Sequence, residues 1–119
     1  MWVKRAITPK IEATLVRGKS VLLFGPRQCG KTFLVKKLAH DLYITLMDPN
    51  LLRKYELNPG AFLQEVKAKK EALGRKPVVI IDEVQKIPDF TDGIQVLIDE
   101  QVAQFIITGS SARKINNLL

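Results

Sequence analysis

A single cysteine, Cys29, is all the thiol chemistry the chain has. No internal disulfide can form, so a reducing compartment, the cytoplasm, is the expected location. Long hydrophobic runs are also missing. The longest, such as the "VVII" of residues 78–81, falls far short of the roughly 20 apolar residues that cross a bilayer, so no membrane partner is expected. The opening "MWVKRAITPK" lacks the apolar stretch and small-residue cleavage site of a secretory signal. No repeat, low-complexity tract or Gly/Ser-rich linker divides the 119 residues. Aromatic residues make up only 7% and do not interleave with the lysines, as a stacking platform for single-stranded nucleic acid would require.

What is present fits one compact domain, with 46% hydrophobic residues to fill a core. Acidic residues are outnumbered, 12 Asp and Glu against 19 Lys and Arg, for a formal charge of +7. That balance favours polyanions: nucleotides, nucleic acid or acidic membrane surfaces. The lysines of "VKK" (35–37) and "VKAKK" (66–70) nevertheless read first as solvated helix faces, so nucleic acid is only weakly supported as a partner.

Strand and helix patterns alternate along the chain. Ile7, Ile11 and Leu15 recur every four residues, a helical stripe closed by Gly18. "SVLLF" (20–24), "YITLMD" (43–48), "PVVIID" (77–82) and "QFIITG" (104–109) read as strands, the apolar ones suited to burial on both faces. Between them, "KTFLVKKLAHDL" (31–42) reads as a helix with Phe33, Leu34, Leu38 and Leu42 near one side. Asn58 and Pro59 start another, Asn as cap and Pro in the first turn, which Gly74 ends. Thr91 or Asp92 caps a helix carrying Ile94, Leu97 and Ile98, and "SSARKINNLL" (110–119) opens a last one. This alternation predicts an α/β fold, a mainly parallel sheet sandwiched between helices on both faces.

Gly25, Gly30, Lys31 and Thr32 match G-x-x-x-x-G-K-[ST] position by position. A glycine turn leaving a strand lets successive backbone N–H groups point at phosphate oxygens, and the helix that follows adds its partial positive end. The Lys31 ammonium reaches the terminal phosphates and the Thr32 hydroxyl holds Mg²⁺. Nucleotide contact is therefore expected across Gly25, Pro26, Arg27, Gln28, Cys29, Gly30, Lys31, Thr32 and Phe33. Arg27 reads equally as a phosphate or subunit contact and as a surface arginine. Cys29 reads as a small residue filling a tight loop, or as an oxidation-sensitive handle on binding.

The second constellation is Asp82 and Glu83, after the four apolar residues of "VVIIDE". In an open parallel sheet the C-terminal edge of the strands is where ligands bind. There Asp82 can enter the Mg²⁺ shell and Glu83 can act as general base on the attacking water. The expected function is Mg²⁺-dependent ATP binding with hydrolysis. No Asn-Lys-x-Asp motif argues for guanine, and no second substrate pocket argues for a kinase. The alternatives are a non-catalytic nucleotide switch, a basic module for protein or nucleic acid, or an inactive fragment of a longer ATPase.

Taken in order, "GPRQCGKTFL", "LMDPNLLRKYELNPGAFL", "VVIIDEVQKIPDF", "VLIDE" and "FIITGSSARKI" resemble the AAA-type P-loop ATPases of prokaryotes, in particular those with an N-terminal ATPase domain followed by an uncharacterised C-terminal domain. The resemblance places Lys31 and Thr32 in Walker A, and Asp82 and Glu83 in Walker B. It implies that Thr108 or Ser110 serves as the polar sensor beside Glu83, without choosing between them, and that Arg113 sits where an arginine faces a phosphate, a neighbouring subunit or solvent. Proteins of this type continue into a fifth strand, a helical lid and a further domain. The chain, 1–119, therefore reads as a nucleotide-binding domain truncated at its C-terminus, whose uncovered apolar surface would favour self-association.

Overall fold

The computed structural model describes residues 10–24 and 36–110. Residues 10–16 form the first helix, α1, and Gly18 closes it. At φ 78° Gly18 takes the left-handed conformation that frees its N–H for Leu15 O and that of Lys19 for Thr14 O. The strand β1 (Val21–Phe24) follows. Then come β2 (Leu42–Thr45), α2 (Pro49–Leu57), α3 (Pro59–Leu73), β3 (Val78–Asp82), a 3₁₀ turn (Val84–Lys86), α4 (Phe90–Asp99) and β4 (Gln104–Gly109).

All four strands run parallel in the order β1-β4-β3-β2. The central pair β3 and β4 is buried on both faces, which explains the unbroken apolar runs of "VVIID" and "QFIITG". Successive residues in these strands serve opposite layers. Val79, Ile81, Phe105 and Ile107 face Phe62, Ile94 and Leu97 of α3 and α4, while Ile80 and Ile106 face Ile11 of α1 and Leu38. Helices thus cover both faces of the sheet, the α/β/α arrangement that alternating patterns predict. Each of these fully buried apolar side chains contributes about 1.5–3 kcal/mol.

Local differences from the sequence reading have physical causes. The helix expected across 31–42 has ended by residue 37; Leu38 is buried below the sheet and Leu42 is the first residue of β2. The strand expected to reach Asp48 stops at Thr45, because Asp48 instead caps α2, its side chain accepting from Asn50 N at 2.8 Å. That helix, with Pro49 in its first turn, occupies a stretch with no helix in the sequence pattern. Asn58 does begin α3, which Gly74 ends at φ 70°, but its side chain makes no capping bond. Shared between two helices, Asn58 uses its own N–H to close α2 on Lys54 O and its carbonyl to accept from Ala61 N. The helix α4 starts at Phe90 after Asp89, ahead of Thr91 and Asp92. Ile7 and the expected helix after residue 110 lie outside the described residues.

Candidate functional site

Strand register brings polar groups together at the C-terminal edge of the sheet. Thr45 is the register partner of Asp82 across β2 and β3, and Thr108 follows Ile107, the partner of Ile81. Three strand ends therefore present two hydroxyls and a carboxylate at one level. The Asp82 side chain is buried and braced on both oxygens: Thr108 Oγ1 donates to Oδ1 at 2.6 Å, and Thr45 Oγ1 donates to Oδ2 at 3.0 Å. Each carboxylate oxygen offers two acceptor sites, so this bracing leaves capacity for a further donor or a hard cation.

Past Asp82 the backbone turns sharply. Glu83 adopts φ 58° and ψ 53°, a left-handed conformation that costs a non-glycine residue about 1–2 kcal/mol. Its N–H donates to Thr108 Oγ1 at 3.0 Å, and its carbonyl accepts from Lys86 N, opening the 3₁₀ turn. The Glu83 carboxylate is also buried. Ser110 Oγ and Gln85 Nε2 each donate to its Oε1 at 2.6 Å. The two hydroxyls left as alternatives by sequence thus do different things: Thr108 ties Asp82 to the Glu83 backbone, and Ser110 holds the Glu83 carboxylate. Thr45 and Gln85 join the site without a sequence motif to mark them. A hydroxyl at the end of an apolar strand shows its purpose only once its register is known, although Gln85 lies just two residues beyond Glu83.

The strand β1 pairs with β4, Leu23 with Thr108 and Phe24 with Gly109. The chain therefore leaves β1 at the same sheet edge, with the end of β4 between it and β3. The loop that begins there, Gly25, Pro26, Arg27, Gln28, Cys29, Gly30, Lys31, Thr32 and Phe33, lies outside the described residues, as does Arg113. The acidic pair and the exit of β1 thus share the carboxyl edge of the sheet, the edge at which open parallel sheets bind ligands.

Among the described residues, no cluster of three or more His, Cys, Asp or Glu side chains could cage a metal. The donor set suits Mg²⁺, which is held by one or two carboxylates together with water and phosphate oxygens. Also among the described residues, no helix is long and apolar enough to cross a membrane.

Residues 17–118 match the sequence profile of the AAA domain family. The chain is 31% identical over 111 residues to an uncharacterized protein of Mycobacterium tuberculosis and, to the same degree, to one of Mycobacterium bovis. These matches cover 92% of this chain and 24% of each relative, so it spans about a quarter of their length. It is also 36% identical over 74 residues to a proteasome-activating nucleotidase of Pyrococcus abyssi, a match covering 58% of this chain and 18% of that protein.

Proposed function

The chain belongs to the AAA domain family, and from that premise we propose that it binds Mg-ATP at the C-terminal edge of its sheet and hydrolyses it there. The observation that carries this reading is the buried Asp82–Glu83 pair, braced by Thr45, Thr108 and Ser110. The similarity to a nucleotidase supports it as well.

In this reading Gly25, Gly30 and the intervening loop cradle the phosphates through backbone N–H groups, and Lys31 supplies a point charge to the terminal ones. Thr32 and Asp82 would hold the metal. A metal held there would supply positive charge against the phosphates. Glu83 accepts a proton from the attacking water as the water oxygen bonds to the γ-phosphorus and the bond to the bridging oxygen of ADP breaks.

The relevant test is ATP binding by the parent and by Lys31→Ala. Loss of binding in the variant supports the phosphate loop, and equal affinity contradicts it. A second reading, a basic interaction module, is favoured by the cations Arg17, Lys19 and Lys76, which line one concavity at the opposite end of the strands. Nucleic-acid binding that weakens with salt yet survives Lys31→Ala would favour that module instead.

A further inference from the structure

Gln85 departs from the rule that buried polar atoms find partners. Its Nε2 donates to Glu83 Oε1 at 2.6 Å, while its own Oε1 is buried with no hydrogen-bond partner among the described residues. An unsatisfied buried acceptor costs folding free energy and calls for a reason. Turning the amide over would not help, because its oxygen would then face the carboxylate, acceptor against acceptor. The side chain is therefore oriented by Glu83 at the expense of its own carbonyl. A residue selected only to fill space would not accept that cost, and methionine would fill the same volume without it.

Two further features converge on the same carboxylate. Ser110 Oγ donates to the oxygen that Gln85 engages, 2.6 Å away. Glu83 itself holds a left-handed backbone, at φ 58°, which a non-glycine residue adopts only at a cost. Broken local rules that cluster on one residue mark a place where geometry is held against stability.

We propose that Gln85 is a positioning residue: it clamps the Glu83 carboxylate, together with Ser110, in the orientation from which Glu83 takes the proton of the attacking water. The inference rests on the assignment of Glu83 as general base. Gln85 itself touches neither water nor nucleotide in this account.

The test uses the parent chain, Gln85→Met, Glu83→Gln and the double variant, each measured for ATP affinity, hydrolysis and thermal midpoint. Gln85→Met should lower kcat roughly tenfold with KM for ATP nearly unchanged, as expected for lost orientation rather than lost binding. Its thermal midpoint should stay nearly level, because the bond lost from Glu83 Oε1 is offset by removal of the orphaned carbonyl. In the Glu83→Gln background the same change should have no further effect on hydrolysis, because the two residues act as a unit. A fall in kcat accompanied by a fall in midpoint would mean Gln85 is structural, and unchanged kcat would also overturn the proposal.

A readout independent of turnover separates this idea from the proposed function. The Gln85 side-chain amide resonance, identified by its absence in Gln85→Met, should shift when Glu83 is changed to Ala. If the parent hydrolyses no ATP but the resonance shifts, the catalytic assignment fails while the clamp stands. If the resonance does not move, the clamp is wrong whatever the turnover.

Discussion

The Thr108 hydroxyl lies between Asp82 and the backbone of Glu83, donating to Asp82 Oδ1 at 2.6 Å and accepting from Glu83 N at 3.0 Å. One side chain on β4 thus fixes both acidic residues at the end of β3, and it does so from a fully buried position. The bond to Asp82 is charge-assisted, and the bond from Glu83 satisfies an N–H that the left-handed turn removes from the sheet ladder.

Thr108→Val keeps the shape and removes both bonds. It leaves a buried carboxylate oxygen and a buried N–H each short of a partner, at a combined cost of about 2–4 kcal/mol. Urea unfolding should show a lower midpoint with the slope unchanged. Thr108→Ser, which retains the oxygen, should recover most of the loss. A valine variant as stable as the parent would show that the hydroxyl bridge contributes nothing net.

Asp82→Asn tests the metal role. The amide keeps the volume but loses the negative charge that attracts a divalent cation, so the Mg²⁺ concentration for half-maximal hydrolysis should rise on the order of tenfold. Titrating Mg²⁺ at saturating ATP measures it. Identical half-saturation in parent and variant would remove Asp82 from the metal shell.

Acid sensitivity should have an identifiable source far from the site. The Arg75 guanidinium makes paired bonds to Asp41, at 2.8 and 3.0 Å, and Val78 N donates to the same carboxylate at 2.8 Å, tying the entry of β2 to the start of β3. The hydrogen bonds from Arg75 first, then that from Val78, hold the Asp41 carboxyl below its ordinary value of 3.8, partly opposed by burial. A carboxyl whose pKa is lower in the folded chain binds fewer protons there than in the unfolded chain. Its contribution is therefore complete above about pH 4 and disappears as the pH falls through the lower folded value. Asp41→Asn should have a lower urea midpoint than the parent at pH 7, with the gap narrowing below pH 4. A gap that stays constant to pH 2 would show that the charge is not what matters. Because Arg75 is exposed, high salt should narrow the gap at pH 7 as well.

Much of this arrangement can be read from composition and pattern, for reasons the structure makes clear. β3 and β4 are buried on both faces, so their sequences are continuously apolar and need no knowledge of neighbours to be recognised. Gly18 and Gly74 both sit at positive φ, where glycine is favoured for steric reasons that hold in any fold. Asp82 and Glu83 stand out because carboxylates directly after an apolar strand are unusual. The helix α2 was hidden because "PNLLRKYEL" follows a strand and opens on proline, which reads as a break. Yet Asp48-Pro49 carries the same cap-and-proline signature as Asn58-Pro59. Leu38 and Leu42 share helical spacing by coincidence, since one packs under the sheet and the other enters it. Thr45 and Gln85 act through tertiary neighbours, and nothing in their local sequence distinguishes them from an ordinary strand residue and an ordinary turn residue.

The most direct test of the whole account is phosphate release from Mg-ATP by the parent chain and by Glu83→Gln, across a range of protein concentrations and with ATP binding measured alongside. The parent should turn over ATP and Glu83→Gln should lose that turnover, roughly 10²-fold or more, while keeping its binding, because a glutamine amide cannot take the proton from water. Equal turnover by the two proteins, both binding ATP, would contradict it.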